Sequence, residues 1–242
     1  IQVATFTTMP TGIGLGSSST LMVGLVKALS TLNEQELSPI EVGFNAHYIE
    51  RKIIGYQGGI QDQYISALGG IQVLNVDTLG KVSANPLFIE EQKLHEIERH
   101  LVLIYTGQER KSHKIIESQE SDLRKVFEVY DQIKKIGYQS INLLQKADIE
   151  GLGKAMDTHW KLKRTLSKII STNKLDELYM KLKKLGSPGG KIIGAGGGGF
   201  FMMAVPSNVE TYLSKINDLG YRHLDWKFEF IGTHLIDVGN AE

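Results

Sequence analysis

A glycine and serine-rich segment directly before an apolar helix is the feature that most constrains this chain. Residues 12–20 are GIGLGSSST, and LMVGLVKAL follows with apolar residues at helical spacing, which predicts a helix over about 17–32. Glycine allows positive φ and close approach to a ligand, while a helix N-terminus offers unpaired N–H groups and a positive dipole end. The segment predicts a phosphate-binding loop. An ordinary loop with a serine N-cap is the alternative.

Two better-known glycine loops are excluded. A Walker A loop needs Gly-Lys followed by Ser or Thr, but Ile192 follows Gly190-Lys191. The glycines at 194, 196 and 199 have dinucleotide-fingerprint spacing, but the strand-like FFMMAV follows where that motif requires a helix.

Two carboxylates, Glu50 and Asp62, lie in AHYIERKIIGYQGGIQDQY on either side of a glycine-bearing loop. Such a loop can fold back and bring the second carboxylate near the first. Phosphoryl transfer uses one carboxylate to hold Mg²⁺ and another near the attacking hydroxyl. The alternative, which spacing alone favours, is that Glu50 is a surface helix residue and Asp62 an N-cap.

Strands and helices mix along the chain without regular alternation, which predicts an α+β fold. Predicted strands are 1–8, 71–76, 82–89, 100–107, 200–206 and 226–236. Predicted helices are 17–32, 39–53, a short one after 62, about 112–185 with breaks at Gly137, near Gly151 and near Asn173, and 207–219. Residues 187–199 are expected to form a second glycine-rich loop. A weak domain boundary is expected at 90–100.

Charge and composition limit the partners. Lys plus Arg and Asp plus Glu are both 27, and aromatic residues are not interleaved with the basic run, so neither nucleic acid nor an anionic membrane is indicated. The longest apolar run, 200–206, is too short to cross a bilayer, and no signal peptide is evident. The absence of cysteine is compatible with a reducing cytoplasm. The first residues resemble the inside of a strand, so we expect a missing upstream segment.

Three stretches, PTGIGLGSSST, ERKIIGYQGGIQDQ and KIIGAGGGGFF, occur in the order seen in the GHMP small-molecule kinases. The first resembles their second motif and the last resembles their third. Over nearly the whole chain, including GGIQDQYISALGG and HWKLKRTLSKIIS, the sequence is most similar to heptose 7-phosphate kinases. The resemblance implies a two-domain fold, with an incomplete ATP-binding part like domain 2 of ribosomal protein S5 at 1–95 and a ferredoxin-like α/β part at 96–242.

The resemblance also implies an activity, namely transfer of the γ-phosphate of ATP, with Mg²⁺, to the anomeric hydroxyl of D-glycero-D-manno-heptose 7-phosphate. Its implied nucleotide contacts are Gly12, Gly14, Leu15, Gly16, Ser17, Ser18, Ser19, Gly196 and Gly197. Ser18 and Glu50 would meet Mg²⁺, and Asp62 would accept the proton of the sugar hydroxyl. The implied acceptor contacts are Gly59, Arg110, Lys163 and Gly198.

Two departures keep other functions open. The superfamily's first motif is absent, which we interpret as truncation. Ile60 stands where heptose kinases tend to have lysine, so the acceptor can be a different sugar. The alternatives are a galactokinase-like enzyme, a diphosphate decarboxylase, and an inactive relative that binds nucleotide or sugar. A homodimer is compatible with the sequence, which does not fix the oligomeric state.

Overall fold

The computed structural model describes residues 2–6, 14–108 and 123–236, which form two compact units. The first unit contains 18–98, 141–148 and the described residues from 226 onwards. The second contains the described residues among 1–17 and 99–140, together with 149–225. The expected domains at 1–95 and 96–242 stay a prediction.

The first unit is mainly helical and carries one hairpin. Its elements are α1 (Ser17–Leu32), α2 (Pro39–Tyr48), a π-helical turn (Ile49–Ile53), α3 (Gln61–Leu68), β1 (Gln72–Val76), β2 (Val82–Pro86) and α4 (Glu91–His100). Strands β1 and β2 pair antiparallel, with Leu74 opposite Ala84. A small apolar core joins α1, α2 and α3 and consists of Val23, Val26, Val42, Ala46 and Ala67.

Helix α2 begins and ends with identifiable backbone features. The Ser38 N–H donates to Glu41 Oε2 at 2.8 Å, and Pro39 occupies the first turn, as the sequence indicated. At the other end the backbone widens into the π-helical turn, where the Ile54 N–H donates to the Ile49 carbonyl, five residues back, at 2.9 Å. Glu50 lies in this turn.

The second unit is built on a four-stranded antiparallel sheet of order β4-β5-β3-β6. Its elements are β3 (Leu101–Tyr105), α5 (Leu123–Gln145), α6 (Ile149–Arg164), α7 (Asn173–Lys184), β4 (Gly189–Ile192), β5 (Phe200–Ala204), α8 (Val209–Asp218) and β6 (His223–Leu224). Strand β5 pairs Phe201 with both Ile104 and Ile192. Phe201 is fully buried and meets Trp160 of α6 edge-on, with ring centroids 5.9 Å apart.

The predicted elements around the glycine segments are confirmed. Helix 17–32, the hairpin strands, β3 and β5 all lie where their apolar patterns indicated. Among the described residues, no helix is long and apolar enough to cross a bilayer.

Several predicted elements are wrong. Helix α5 runs unbroken through Gly137, whereas the break expected near Gly151 is present at 146–148, directly before α6. The expected loop 187–199 contains β4, which pairs with β5. Residues 2–6 and 226–236 are not strands. In the latter segment the Phe228 N–H donates to Glu98 Oε1, and the Glu229 carbonyl accepts from the Gly70 N–H. These isolated hydrogen bonds do not pair the segment with a neighbouring strand.

Candidate active site

A buried carboxylate receives two serine hydroxyls at the head of α1. Ser18 Oγ donates to Glu50 Oε1 at 2.6 Å, and Ser19 Oγ donates to Glu50 Oε2 at 2.9 Å. Glu50 is only 2 % exposed. The interpretation of Glu50 as a surface helix residue is therefore wrong, and three residues chosen from the sequence lie in direct contact.

Gln63 completes this cluster and was missed by sequence analysis. Its Nε2 donates to Glu50 Oε2 at 2.6 Å and to Ser19 Oγ at 3.0 Å. The side chain is completely buried in the first turn of α3. A glutamine beside the chosen Asp62 was the available signal, but spacing gives no reason to expect it to face Glu50.

Arg51 is the second residue that sequence analysis missed. Its Nη1 lies 3.4 Å from Glu50 Oε1, and its Nη2 donates to the Gly59 carbonyl at 3.3 Å. A Cβ on Gly58 would lie 2.7 Å from Arg51 Nη2, so glycine leaves room for the guanidinium. Gly59, predicted as an acceptor contact, thus has its carbonyl engaged by Arg51.

These contacts set the charge of the site. Burial by itself raises the pKa of Glu50, but hydrogen bonds from Ser18, Gln63 and Ser19 and the charge of Arg51 outweigh it, so its pKa lies below the ordinary value. Glu50 is therefore an anion at neutral pH, and the hydroxyl of Ser18 lies against it.

The glycine segment leads directly into this cluster. Gly14 and Gly16 have φ of 83° and 73°, in the left-handed region that favours glycine. The half-buried Leu15 lies between them, and the exposed Ser17 begins α1. Gly12 lies outside the described residues. The N–H groups of the first turn of α1 have no partners within that helix, because its hydrogen bonds begin four residues later.

The two serines that contact Glu50 differ in exposure. Ser18 is exposed, whereas Ser19 is 3 % exposed and its hydroxyl lies between Glu50 and Gln63. The Ser19 side chain therefore supports the carboxylate, and its predicted nucleotide contact stays a prediction.

Asp62 is half-buried in the first turn of α3, directly before Gln63. The N-cap position of that helix belongs to Ile60, so Asp62 is not the cap. Its role as proton acceptor stays a prediction.

The second glycine-rich loop follows β4. Gly196 has φ of 112°, and a Cβ there would lie 2.8 Å from Ile170 Cγ2. The N–H groups of Gly197 and Gly199 donate to the carbonyls of Ile170 and Gln108 at 2.7 and 2.9 Å. The loop is thus fixed by its own unit, and the Gly197 N–H already has an acceptor.

Two of the predicted acceptor contacts, Lys163 and Gly198, lie at this loop. Lys163 Nζ donates to the Gly194 carbonyl. A Cβ on Gly198 would lie 2.4 Å from the Gln108 carbonyl oxygen, so only glycine fits. Arg110 lies outside the described residues. The expected packing of this loop against Gly14–Ser19 stays a prediction.

The oxygen donors fit a magnesium ion better than a transition metal. Across residues 2–6, 14–108 and 123–236, no group of three or more His, Cys, Asp or Glu could hold a metal. Mg²⁺ needs no such cage, since it binds one or two protein oxygens and takes phosphates and waters for the rest. The Ser18 hydroxyl and the Glu50 carboxylate are such a pair.

Comparison with known sequences identifies the family. The sequence models of the GHMP kinases N terminal domain and the GHMP kinases C terminal domain match residues 1–70 and 140–222, together more than half of the chain. The chain belongs to the GHMP kinase family. The first match covers the glycine segment, Glu50 and Asp62, and the second covers the loop at 194–199.

Relatives within the GHMP kinase family differ in their substrates. D-glycero-alpha-D-manno-heptose 7-phosphate kinase of Campylobacter jejuni is 34% identical over 87% of this chain and 63% of its own length. Mevalonate kinase of Thermococcus gammatolerans is 29% identical over 91% of the chain and 64% of its own length. The chain thus spans slightly less than two thirds of these relatives.

A solved structure shares the GHMP kinase fold. The D-glycero-D-manno-heptose 1-phosphate kinase of Bacteroides thetaiotaomicron superposes with a TM-score of 0.68 at 24% identity, covering 96% of this chain and 67% of that one. At that identity the likeness concerns the fold.

Proposed function

We propose that this chain is the catalytic part of an ATP-dependent kinase that phosphorylates a sugar hydroxyl. The observation that carries the proposal is the 2.6 Å hydrogen bond between Ser18 and Glu50, directly after the glycine segment. It brings a hydroxyl and a carboxylate anion beside a helix N-terminus. The positive helix end suits the phosphates of a nucleoside triphosphate, and the carboxylate suits the cation that accompanies them.

Each group has a defined task in this proposal. The amides that precede and open α1 bind the phosphates of ATP, and Ser18 and Glu50 hold the magnesium ion. When bound, Mg²⁺ neutralises the charge that develops on the transferred phosphoryl group. Ser19, Gln63 and Arg51 keep Glu50 ionised and oriented, so little reorganisation is needed during the reaction.

Asp62 is proposed to take the proton of the attacking hydroxyl. A positioned base of this kind gives rate factors of about 10²–10⁴. Its place in the helical turn that also carries Gln63 supports the assignment, because Gln63 is bonded to Glu50.

The proposed acceptor is the anomeric hydroxyl of D-glycero-α-D-manno-heptose 7-phosphate. The name of the Campylobacter relative supports it. Gly59, Arg110, Lys163 and Gly198 remain the proposed acceptor contacts. A different acceptor is the second candidate. Ile60 replaces the lysine expected in heptose kinases, and the mevalonate kinase of Thermococcus gammatolerans matches 91% of this chain, against 87% for the heptose kinase.

The test is ADP release from Mg-ATP by the purified protein, with its natural flanking residues. The acceptor panel is heptose 7-phosphate, unphosphorylated heptose, galactose and mevalonate, and phosphorus NMR identifies the product. An anomeric phosphate formed only from heptose 7-phosphate supports the first candidate. Turnover of another acceptor supports the second, and ATP binding without turnover of any acceptor contradicts the kinase.

A further inference from the structure

We propose that Gln63 is a positioning residue that fixes the Glu50 carboxylate for metal binding and anchors the helical turn carrying Asp62. The effect of Gln63 on catalysis rests on the proposed function, but its effect on the Glu50 carboxylate does not. Neither the family match nor the relatives assign this residue a role.

The orientation of the Gln63 amide follows from its partners. An ionised carboxylate only accepts hydrogen bonds, so the group 2.6 Å from Glu50 Oε2 must be the NH₂ end. The same nitrogen donates to Ser19 Oγ, and the Ser19 hydroxyl in turn donates to Glu50. The three side chains form a closed ring of hydrogen bonds around one carboxylate oxygen. Glu50 Oε1 is left to Ser18 and Arg51.

The opposite end of the amide argues against a purely stabilising role. Gln63 Oε1 is buried, and among the described residues it has no hydrogen-bond partner. A buried acceptor without a partner destabilises the folded state, and an apolar side chain of the same shape would avoid that penalty. The glutamine is therefore explained by what its nitrogen does for Glu50.

The hydrogen bonds of Gln63 also restrict its neighbour in the chain, Asp62. Gln63 directly follows Asp62, and both lie in the first turn of α3. The bonds from Gln63 to Ser19 and Glu50 therefore hold that turn at the head of α1. One side chain orients the metal-binding carboxylate and limits the movement of the proposed base.

Two substitutions separate these roles from general packing. Gln63→Met keeps the length of the side chain and removes the donor. Gln63→Glu places a second carboxylate against Glu50, and one proton is then shared between them. Gln61→Glu is the matched control, because Gln61 lies in the same turn of α3 but is exposed.

The first readout needs no activity. Carbon-13 NMR of glutamate carboxyl groups at neutral pH reports the hydrogen bonding of the Glu50 carboxylate in metal-free protein, with Glu50→Gln used for assignment. We expect the Glu50 carboxyl resonance to move from its wild-type position in both Gln63 variants, which lose the amide donor, and to stay there in Gln61→Glu. An unchanged resonance in Gln63→Met, in a variant that melts as a folded protein, overturns the proposal.

The second readout is the Mg²⁺ concentration that gives half-maximal turnover. We expect it to rise about 10–100-fold in Gln63→Met, as is typical when a group orienting a metal ligand is removed. The KM for the acceptor should change little. An equal rise in Gln61→Glu would mean that any substitution in this turn has the same effect, which contradicts the proposal. If wild type phosphorylates nothing, the kinase assignment fails while the Glu50 carboxyl resonance still decides the role of Gln63.

Discussion

Replacing Ser19 with alanine removes one hydroxyl from the buried cluster and leaves every other group in place. In wild type this hydroxyl donates to Glu50 Oε2 at 2.9 Å and accepts from Gln63 Nε2 at 3.0 Å. In Ser19→Ala the Gln63 nitrogen keeps its bond to Glu50, so no buried donor loses all its partners. The main loss is therefore one hydrogen bond to a charged group, and the Gln63 nitrogen also loses one of its two acceptors.

The size of the effect follows from that count. A hydrogen bond to a charged group contributes about 1.5–3 kcal/mol to the free energy of unfolding. Alanine has a higher helix propensity than serine, which offsets about 0.5 kcal/mol of the loss. We therefore expect Ser19→Ala to lower the free energy of unfolding by about 1–2.5 kcal/mol at pH 7.

Urea unfolding followed by circular dichroism measures this difference. Thr20→Ala is the matched control, because Thr20 is the next residue of α1, is exposed, and has its hydroxyl 3.0 Å from that of Ser66 and not against the buried carboxylate. Changes at such a site stay within about 0.5 kcal/mol. If Ser19→Ala is no more destabilising than Thr20→Ala, the hydroxyl does not bond Glu50 as described.

The difference should also depend on pH. Since the folded-state pKa of Glu50 is lowered, its ionisation stabilises the protein fully above the unfolded-state pKa, and this contribution is lost as pH falls through the folded-state pKa. Ser19→Ala moves the folded-state pKa upward, so wild type and variant should converge in acid. A constant difference from neutral pH into acid, for as long as both remain folded, would refute the charge argument.

Three further changes probe other parts of the molecule. Asp62→Asn should lower kcat at least about 100-fold while the KM for ATP stays near normal, and near-normal kcat in steady-state assays removes Asp62 as the base. Gly196→Val should destabilise the protein by about 1–3 kcal/mol, because its Cβ would lie 2.8 Å from Ile170 Cγ2, and an unchanged urea midpoint speaks against that fit. Gly137→Ala should stabilise by about 0.5–1 kcal/mol, because a Cβ in the middle of α5 meets nothing within 4 Å, and thermal melting checks this gain.

The sequence predicted the parts of the site that depend on local patterns. Glycines before an apolar run indicated the loop and helix α1, and resemblance placed Ser18 and Glu50 in one site. The structure adds their contact, with Glu50 buried against Ser18. Alternation and apolar runs likewise predicted β3 and β5, each of which contributes two side chains to the buried core: Val102, Ile104, Phe201 and Met203.

The residues that support Glu50 could not be predicted, for two physical reasons. Neighbouring residues in an ordinary α-helix do not face each other, so the sequence gives no reason to pair Arg51 with Glu50. The π-helical turn alters that geometry, and hydrophobic periodicity carries no mark of it. Gln63 reaches Glu50 from another helix, and that contact depends on how the intervening loop folds.

Predictions based on glycine were only partly correct, because some glycines lie where a side chain would fit and others lie where it would clash. Gly137 was expected to break a helix, but it lies inside α5. The low helix propensity of one glycine costs little free energy compared with the stabilisation that a long amphipathic helix gains from packing. Gly196 and Gly198 instead occupy positions where a side chain would strike Ile170 or Gln108. The difference between an optional and a required glycine lies in tertiary neighbours.

The widened turn that carries Glu50 has a consequence for protein engineering. Anyone grafting this serine–glutamate pair onto another scaffold must transfer the five-residue turn Ile49–Ile53 with it, because a regular helix would rotate the carboxylate away from its serine partners. Deleting one residue of that turn other than Glu50 and Arg51 would restore regular winding and disrupt the site, although every side chain that forms it would still be present.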